Sequence, residues 1–547
     1  MKKTTKILIG IFILSIIIKI ILAYFIKNPI AFSDDYTYMQ IARTFFYSGK
    51  IIITPGINFY PPLYPIVISI AYLFHNMNLV FFLMKVINSI LSSLIIFPVY
   101  LLARDFLEEK QAIIVSLISL MIPSSFMFSN VIMAENLLYP LILFSIYFIY
   151  KSFTTRRIIY DILTGVFVAL SCLTKNIGLG LLLIILVVFL YKLTKKHYYE
   201  IKKKIVVALF FILVSLSWWI NNYKVFGLSL GVITLADPTI TKTASIPSLF
   251  TWFFIYISYI ILASGIILFA LNLNFIIKSK EKNENILALI ILTSIIIFIA
   301  IATLHSSKAP FKEMTDLFYL VGRPLGRYLS FLLPLIFIGS FIGIKKYDKK
   351  LKNILLILTI PLMIIASQLV YFKLFPINNM ELVWIGAMSY IINPKILVFL
   401  IPLMSILAIF FLIKKEIEPK KLINLLIIFL ILLNILSYIA IFKVSGEWSE
   451  NPQIRLGEFL NNYDNKVSNI LMDKNNCIDK LEKETKNEGI CSINNTITII
   501  GLKTNDNIYI GDYKTFKSGQ YDFLISKESL DYQIIKEEDK IYIYSLK

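Results

Sequence analysis

The chain of 547 residues is 58% apolar and only 16% charged, whereas soluble globular proteins average about 45–50% apolar and about 25% charged residues. The apolar residues are concentrated in runs of roughly 17–25 residues, the length that crosses a hydrocarbon core about 30 Å thick. This composition excludes a soluble enzyme, a disordered regulator and a small disulfide-rich secreted domain. It predicts a polytopic membrane protein that is all-α within the membrane.

The net charge of +20 comes from basic residues in short segments between the apolar runs: Lys2 to Lys6, Lys151 to Arg157, Lys192 to Lys204, Lys345 to Lys352 and Lys414 to Lys421. Cytoplasmic loops carry such an excess of Lys and Arg, whereas a nucleic-acid-binding protein concentrates its basic residues on one face. We therefore expect membrane lipids and no nucleic acid among the partners.

Thirteen membrane spans fit the alternation of apolar runs and basic segments. They are predicted at 6–26, 79–103, 111–129, 132–150, 159–175, 177–193, 205–222, 250–277, 286–304, 328–344, 353–371, 394–413 and 422–442. The first run is too long for a signal peptide and lacks its small-residue cleavage site, so it is interpreted as a retained span. The odd count predicts a multi-pass plasma-membrane protein with a cytoplasmic N-terminus and an extracytoplasmic C-terminus. The run 63–74 is short and flanked by proline, and we expect a juxtamembrane or re-entrant helix there.

Residues 443–547 are more polar than the preceding membrane domain, 1–442, and are predicted to form a small extracytoplasmic α/β domain. Alternating patterns predict strands at 466–472, 496–502, 521–526 and 540–545, with a helix at 479–486. Cys477 and Cys491 could form a disulfide in an oxidising exterior. A complete helix between them would hold their Cα atoms apart, so bridge and helix compete.

The first predicted outer loop, 27–78, contains two adjacent carboxylates, Asp34 and Asp35, followed by a helical pattern up to Ser48. A carboxylate just outside the membrane can serve as a general base. The alternative is that Ser33 or Asp34 only caps the N-terminus of the helix. Adjacent side chains on a helix point about 100° apart, so we expect only one of the two carboxylates to do chemistry.

Further sequence elements follow in order: Tyr60-Pro61-Pro62-Leu63-Tyr64-Pro65, Met133-Ala134-Glu135, Leu173-Thr174-Lys175-Asn176, Trp218-Trp219 with Asn222 and Gly227, and Gly326-Arg327-Tyr328. Together with the acidic pair, this ordered set resembles the GT-C membrane glycosyltransferases. The most similar branch contains the dolichyl-phosphate-mannose protein mannosyltransferases and the aminoarabinose transferase of lipid A. Asn221 departs from the pattern, because the family usually has arginine before the asparagine; a charge at that position is absent or moved to Lys224.

The resemblance implies a bundle of membrane helices with an outward-facing active site and a polyprenyl (dolichyl) phosphate-linked sugar as donor. It also implies an inverting transfer, in which an acidic residue of the first loop deprotonates the acceptor hydroxyl while the lipid phosphate leaves. The match places this role on Asp35 or Asp34, with slightly more weight on Asp35. The sugar and the acceptor, which can be a protein, a lipid or a glycan, stay open.

A lipid phosphate that leaves at the membrane surface favours cations at headgroup depth, and arginine binds phosphate best. Arg323 and Arg327 flank Pro-Leu-Gly at the mouth of a span, Lys308 and Lys312 precede them, and Lys175 follows another span. We predict that Arg327, Arg323 and Lys175 bind the donor phosphate. The alternative is that these side chains snorkel towards lipid headgroups.

Glu135 is predicted near the outer membrane boundary, where an unpaired carboxylate is unfavourable, and is a candidate for the acceptor or sugar site. Its alternative is a structural hydrogen bond to a neighbouring helix. Tyr60 and Tyr64 are candidates for the same groove, although loop tyrosines also pack. His305 is expected to be structural. Two acidic residues near a phosphate could bind a divalent metal or work without one, so the metal stays unknown.

Two other functions compete with a glycosyltransferase. A secondary transporter or a flippase of lipid-linked sugars would show repeated halves and ionisable residues at the membrane midplane, whereas here no repeat is evident and the candidate residues gather at the outer rim. A polysaccharide polymerase or ligase would use the same kind of donor with a glycan acceptor, and the sequence does not separate it. The Trp-Trp-Asp element of oligosaccharyltransferases is absent from the sequence, which argues against transfer of a whole oligosaccharide.

Overall fold

The computed structural model describes residues 3–30, 32–51, 60–195, 204–226, 246–307, 324–372, 374, 376–414, 418–463, 467–473, 500–518 and 520–545. The α-helices in this part of the chain are Lys3–Phe25, Phe32–Ser48, Leu63–Ile68, Met77–Ser93, Ile96–Ala103, Glu109–Leu120, Pro123–Met127, Glu135–Thr154, Ile158–Thr174, Gly180–Thr194, Ile205–Phe226, Ile246–Ser264, Ile266–Lys278, Lys282–Ser307, Leu332–Lys345, Lys349–Leu358, Ile360–Ala366, Val383–Ile391, Pro394–Lys414, Pro419–Ser449 and Pro452–Tyr463. Short 3₁₀ helices lie at Ser69–Leu73, Phe128–Asn130, Asn176–Leu179, Gly326–Tyr328, Ser367–Tyr371, Pro376–Asn378, Met380–Leu382 and Tyr513–Ser518.

The predicted architecture of a multi-pass helical membrane protein with a small C-terminal sheet is confirmed, but the count of thirteen spans is not. Among the described residues, ten helices are long and apolar enough to cross a membrane, and a pair bent by 67°, Glu109–Leu120 with Pro123–Asn130, makes up to eleven. Two predicted spans correspond to helices of only 17 and 14 residues, Ile158–Thr174 and Leu332–Lys345. At about 1.5 Å per residue these helices measure about 25 and 21 Å, less than the hydrocarbon core.

The predicted span 250–277 is two helices rather than one. Ile246–Ser264 and Ile266–Lys278 are separated by Gly265, whose φ of +85° lies in the region that favours glycine. A hydropathy pattern does not detect this break, because the helices on both sides of it are similarly apolar. The run that starts at Leu63 is confirmed as a short helical element that ends at Leu73.

The C-terminal sheet has five strands: β1 Asn469–Asp473, β2 Asn507–Gly511, β3 Phe523–Ser526, β4 Gln533–Glu538 and β5 Ile541–Ser545. Their order is β2-β1-β3-β5-β4, with β1 parallel to β2 and β3, and β5 antiparallel to β3 and β4. Along β1, Ile470 and Met472 pack with the helix Pro452–Tyr463, while Leu471 packs on the opposite face. Both faces are therefore covered, as the two-residue period of a strand allows.

Three of the four predicted strands coincide with β1, β3 and β5. The fourth, at 496–502, is wrong at its described residues, 500–502. Residues 500 and 501 are helical, and the strand that pairs with β1 begins at Asn507. The strand β4 escaped prediction because its largely exposed, charged sequence gives little apolar alternation. Residues 479–486, Cys477 and Cys491 lie outside the described residues.

Candidate active site

The acidic pair lies in the first turn of the helix Phe32–Ser48, called the Asp34 helix below, where the helix dipole favours negative charge. Asp35 is fully buried. One of its carboxylate oxygens accepts a hydrogen bond from the Ile30 backbone N–H at 3.2 Å, and the other accepts one from the Ile132 N–H at 3.0 Å. Asp35 thus ties the start of this helix to a non-helical stretch of chain that precedes Glu135.

Asp34 points in a different direction, as expected for neighbours on a helix, and its side chain is 24% exposed. The Tyr60 hydroxyl donates to Asp34 Oδ1 at 2.8 Å. Both terminal nitrogens of Arg327 donate to Asp34 Oδ2, each at 3.2 Å. Asp34 is therefore the carboxylate of the pair that faces the other charged groups.

Glu135 and Lys175 complete the charged cluster. Glu135 begins the helix Glu135–Thr154, and its Oε1 accepts a hydrogen bond from Lys175 Nζ. Arg327 Nε lies 3.6 Å from the same oxygen, so Glu135 bridges the two cations. Among the described residues, Glu135 Oε2 and Arg327 Nε have no hydrogen-bond partner. Two carboxylates and two cations thus alternate within one cluster that is only partly open to solvent.

Arg327 lies in residues 324–328, called the Arg327 segment below, which end in the 3₁₀ helix Gly326–Tyr328. Polar side chains hold the backbone of this segment. Tyr139 donates to the Arg327 carbonyl at 2.6 Å, and the Leu325 N–H donates to the Tyr256 hydroxyl at 2.9 Å. The Asn379 side chain accepts from the Gly326 N–H and donates to the Pro324 carbonyl, both at 3.0 Å. These bonds satisfy backbone groups that a single 3₁₀ turn leaves unpaired.

Residue 326 must be glycine in this arrangement. A Cβ atom there would lie 1.9 Å from the Tyr259 hydroxyl oxygen, which itself donates to Glu381 at 3.0 Å. A side chain at this position would therefore require Tyr259 to move away. The Gly-Arg pair of the sequence pattern thus has a steric explanation as well as an electrostatic one.

Three comparisons with known proteins bear on this geometry. A family model described as dolichyl-phosphate-mannose-protein mannosyltransferase matches residues 60–219. The structure of ArnT from Cupriavidus metallidurans bound to undecaprenyl phosphate superposes with a TM-score of 0.61 over 98% of this chain and 97% of that chain, at 11% identity. The chain has the fold of the GT-C membrane proteins. The apo form of the same ArnT gives a TM-score of 0.59 at 11% identity and the same coverage.

A weaker likeness is to AglB, an archaeal oligosaccharyltransferase from Archaeoglobus fulgidus, with a TM-score of 0.40 and 10% identity over 94% of this chain and 69% of that one. No curated protein sequence matches the chain. The family-model match and the ArnT-like fold together support a membrane glycosyltransferase of the GT-C type.

Electrostatics keep Asp34 and Tyr60 in defined protonation states. Burial by itself would raise the pKa of Asp34, but the positive charges of Arg327 and Lys175 and the hydrogen bond from Tyr60 bring it below its ordinary value. Burial and the neighbouring carboxylate of Asp34 raise the pKa of Tyr60. Asp34 is thus ionised and Tyr60 protonated at neutral pH, consistent with the direction of their hydrogen bond.

The carboxylates of this cluster pair with protein cations. No group of three or more His, Cys, Asp or Glu side chains converges in the part of the chain that the structure covers. Asp34 and Glu135 already bind Arg327 and Lys175, so protein cations occupy the positions next to these carboxylates.

The other predicted site residues are distributed as follows. Tyr64 is completely buried and donates to Asn88 at 3.0 Å, so it lies in the helical core rather than on an open groove. His305 is exposed, with its ring 5.2 Å from that of Tyr328. Asn222 is buried in the helix Ile205–Phe226. Arg323, Lys308, Lys312 and Gly227 lie outside the described residues.

Sequence reasoning missed the side chains that position Arg327: Tyr139, Tyr256, Tyr259 and Asn379. Tyr139 lies one helical turn after Glu135, a spacing that puts both on the same face. The pair Asn378-Asn379 in a mostly apolar region was a second available signal. Tyr256 and Tyr259 lie among other apolar and aromatic residues, so the sequence contained no signal that singled them out.

Proposed function

We propose that this protein is an inverting glycosyltransferase that moves a sugar from a polyprenyl-phosphate donor to an acceptor hydroxyl. The observation that carries the proposal is the alternation of Asp34, Arg327, Glu135 and Lys175 within hydrogen-bond or ion-pair distance. A carboxylate that can take a proton lies next to cations that can hold a phosphate, which are the two groups that this transfer needs.

In the proposed step, the acceptor oxygen attacks the anomeric carbon of the donor while its proton passes to Asp34. The bond between the anomeric carbon and the phosphate oxygen breaks, and the leaving group changes from a phosphodiester to a polyprenyl phosphate that carries one more negative charge. Arg327 and Lys175 are assigned to that phosphate. Their attraction grows as the charge develops, so they stabilise the transition state more than the bound donor.

The remaining groups of the cluster are assigned supporting roles. Glu135 orients the two cations, since its Oε1 lies between them. Tyr60 fixes the rotation of the Asp34 carboxylate through its hydrogen bond. Asp35, with both oxygens bound to backbone N–H groups, is assigned to positioning the Asp34 helix. The role of the base is therefore proposed for Asp34 rather than for Asp35, which the resemblance to the family slightly favoured.

We also propose that the reaction occurs outside the cytoplasm, because the basic segments Lys345 to Lys352 and Lys414 to Lys421 are then cytoplasmic. The expected partners are membrane lipids and the lipid-linked donor, and the acceptor can be a protein, a lipid or a glycan. An alkaline phosphatase, which is active only outside the cytoplasm, should then be active in cells when it is fused after Lys547. An inactive fusion would contradict this orientation.

The test supplies membranes that contain the protein with radiolabelled polyprenyl-phosphate mannose or glucose and measures label in the acceptor fraction. Wild type should transfer label and Asp34→Asn should not. Asp161→Asn is the matched control, because Asp161 forms a buried ion pair with Lys204 and is outside the cluster. Flipping of the donor across the bilayer without transfer, unaffected by Asp34→Asn, would favour the transporter instead.

A further inference from the structure

Hydrogen bonds and packing contacts join the Asp34 helix to the C-terminal part of the chain. Arg43, in the fourth turn of this helix, is 9% exposed. Its guanidinium donates to the backbone carbonyls of Asn505 and Asp506, the latter at 2.9 Å, and to the Asn507 side chain at 3.3 Å. These three acceptors lie in residues 500–507, which we call the docking loop.

The docking loop is fixed to the C-terminal sheet. The Asn507 N–H donates to the Ser468 carbonyl at 2.9 Å, and the Ser468 N–H donates to the Asp506 carboxylate at 2.8 Å. Asn507 itself begins β2, which pairs with β1. Arg43 therefore bonds to a backbone that the sheet holds in place.

Two further contacts join the Asp34 helix to the docking loop. Asn505 donates from its side chain to the Tyr47 hydroxyl at 3.1 Å. Gly501 lies so close to the Tyr36 ring that a Cβ atom on it would be 2.7 Å from the nearest ring carbon. Tyr36, Arg43 and Tyr47 are spaced at seven and four residues, so they lie along one face of the helix.

Lys503 connects the docking loop to the ends of the neighbouring membrane helices. It is 3% exposed. Its Nζ donates to the Lys27 carbonyl at 3.1 Å, to the Asn78 side chain at 3.3 Å and to Glu458 at 2.8 Å. The loop thus joins the chain on both sides of the Asp34 helix, just after the helix Lys3–Phe25 and at the start of Met77–Ser93.

We propose that the docking loop is a positioning element for the reaction, with Arg43 as its principal contact on the Asp34 helix. Asp35 fixes the start of this helix and Arg43 fixes its fourth turn, so together they set its rotation about its own axis. A rotation by one residue is about 100° and would carry Asp34 away from Arg327. The inference rests on the proposed function, in which Asp34 is the base. It gives the C-terminal domain a role in placing Asp34 and no role in placing Arg327 and Lys175, the cations proposed to bind the donor phosphate.

Arginine suits this contact better than lysine. The planar guanidinium presents several N–H donors in a rigid fork and can bond two successive carbonyls at once, whereas an ammonium is a point charge on a flexible stem. Loss of the fork would leave two carbonyls of the docking loop without this partner. Arg43→Lys is therefore the milder variant and Arg43→Ala the severe one.

The experiment compares wild type, Arg43→Lys, Arg43→Ala and Arg455→Ala in the transfer assay, with kcat and the KM for the donor determined separately. Arg455 is the matched control, because it pairs with Glu538 at 3.0 Å within the C-terminal part of the chain. Amide hydrogen exchange of residues 36–47 is measured on the same samples. We expect kcat to fall at least tenfold in Arg43→Ala and less in Arg43→Lys, since a misplacement of about 1 Å can reduce a rate about 100-fold.

The donor KM should change less than twofold, exchange in residues 36–47 should accelerate, and Arg455→Ala should resemble wild type. If Arg43→Ala does not fold, Arg43→Lys carries the test alone. Unchanged kcat in both Arg43 variants, or a rise of the donor KM with unchanged kcat, would overturn the inference. Absence of transfer in wild type would instead overturn the proposed function, while the exchange data would still report whether the docking loop stabilises the helix.

Discussion

The two adjacent carboxylates of the Asp34 helix should respond in opposite ways to the same chemical change. Asp34→Asn removes a charge that faces Arg327 and the proposed acceptor proton. Asp35→Asn removes a charge whose two oxygens both bind backbone N–H groups. The substitutions conserve size and are one residue apart, so the comparison isolates what each carboxylate does.

For Asp34→Asn we expect kcat per folded molecule to fall about 1,000-fold, because a positioned general base contributes about 100- to 10,000-fold. A factor of 1,000 corresponds to about 4 kcal/mol of transition-state free energy. The loss of folding free energy should be smaller. An amide can still accept from Tyr60, and Arg327 keeps Glu135 as a partner.

For Asp35→Asn the main loss should be in stability. The substitution replaces one carboxylate oxygen by an NH₂ group, which is a hydrogen-bond donor. In either orientation of the amide, this NH₂ group faces a backbone N–H, which is also a donor. The Ile30 or the Ile132 N–H is then left buried without this acceptor, which costs about 1–3 kcal/mol. The rate per folded molecule should fall at least tenfold less than in Asp34→Asn.

The assay is label transfer in proteoliposomes, normalised to the fraction of folded protein measured by size-exclusion chromatography after heating. An Asp34→Asn variant that transfers sugar at the wild-type rate would refute the assignment of the base. So would an Asp35→Asn variant of wild-type thermal stability that has lost transfer, because that result would return the base to Asp35.

Four further outcomes follow from the same cluster. Arg327→Lys should raise the donor KM at least tenfold, because a point charge does not reproduce a bidentate contact with phosphate; an unchanged KM in steady-state kinetics contradicts this role. Asn379→Ala should raise the same KM, since the Arg327 segment loses its clamp, whereas Asn274→Ala, which removes a buried amide bonded to the Gly343 and Lys346 carbonyls, should not. Because the pKa of Asp34 is lowered, its ion pair stabilises the fold above the unfolded pKa and is lost as the pH falls through the folded pKa; the difference in thermal stability between wild type and Asp34→Asn should therefore persist from pH 7 to about 5 and shrink below that. Transfer should continue in the presence of EDTA, because protein cations already neutralise the carboxylates, and loss of transfer that Mg²⁺ restores would show otherwise.

Local patterns predicted the elements that depend only on neighbouring residues. The apolar runs located the membrane helices, and the helix that contains the acidic pair ends at Ser48 as predicted. Where a pattern was locally ambiguous, prediction failed. The apolar run 250–277 conceals the break at Gly265, and β4 has too few apolar residues to be recognised as a strand.

The candidate site was predictable in its residue types and less so in its connections. Glu135, Lys175 and Arg327 were each singled out as charges at the ends of apolar runs, and the structure brings them together. Their partnership could not be derived from spacing, because residues 135 and 327 are separated by 192 positions. Contacts over such distances depend on how the helices pack.

The sequence by itself determined that this protein is an α-helical membrane protein whose charged candidates lie at helix ends, because burial in lipid imposes long apolar runs and excludes unpaired charge. Only the tertiary structure decided which of two adjacent aspartates faces the cations. That choice depends on the rotation of one helix, which is fixed by backbone N–H groups at Ile30 and Ile132 and by carbonyls of the docking loop. Every residue except proline carries the same backbone N–H and C=O groups, so no pattern of side chains in the sequence could reveal these contacts.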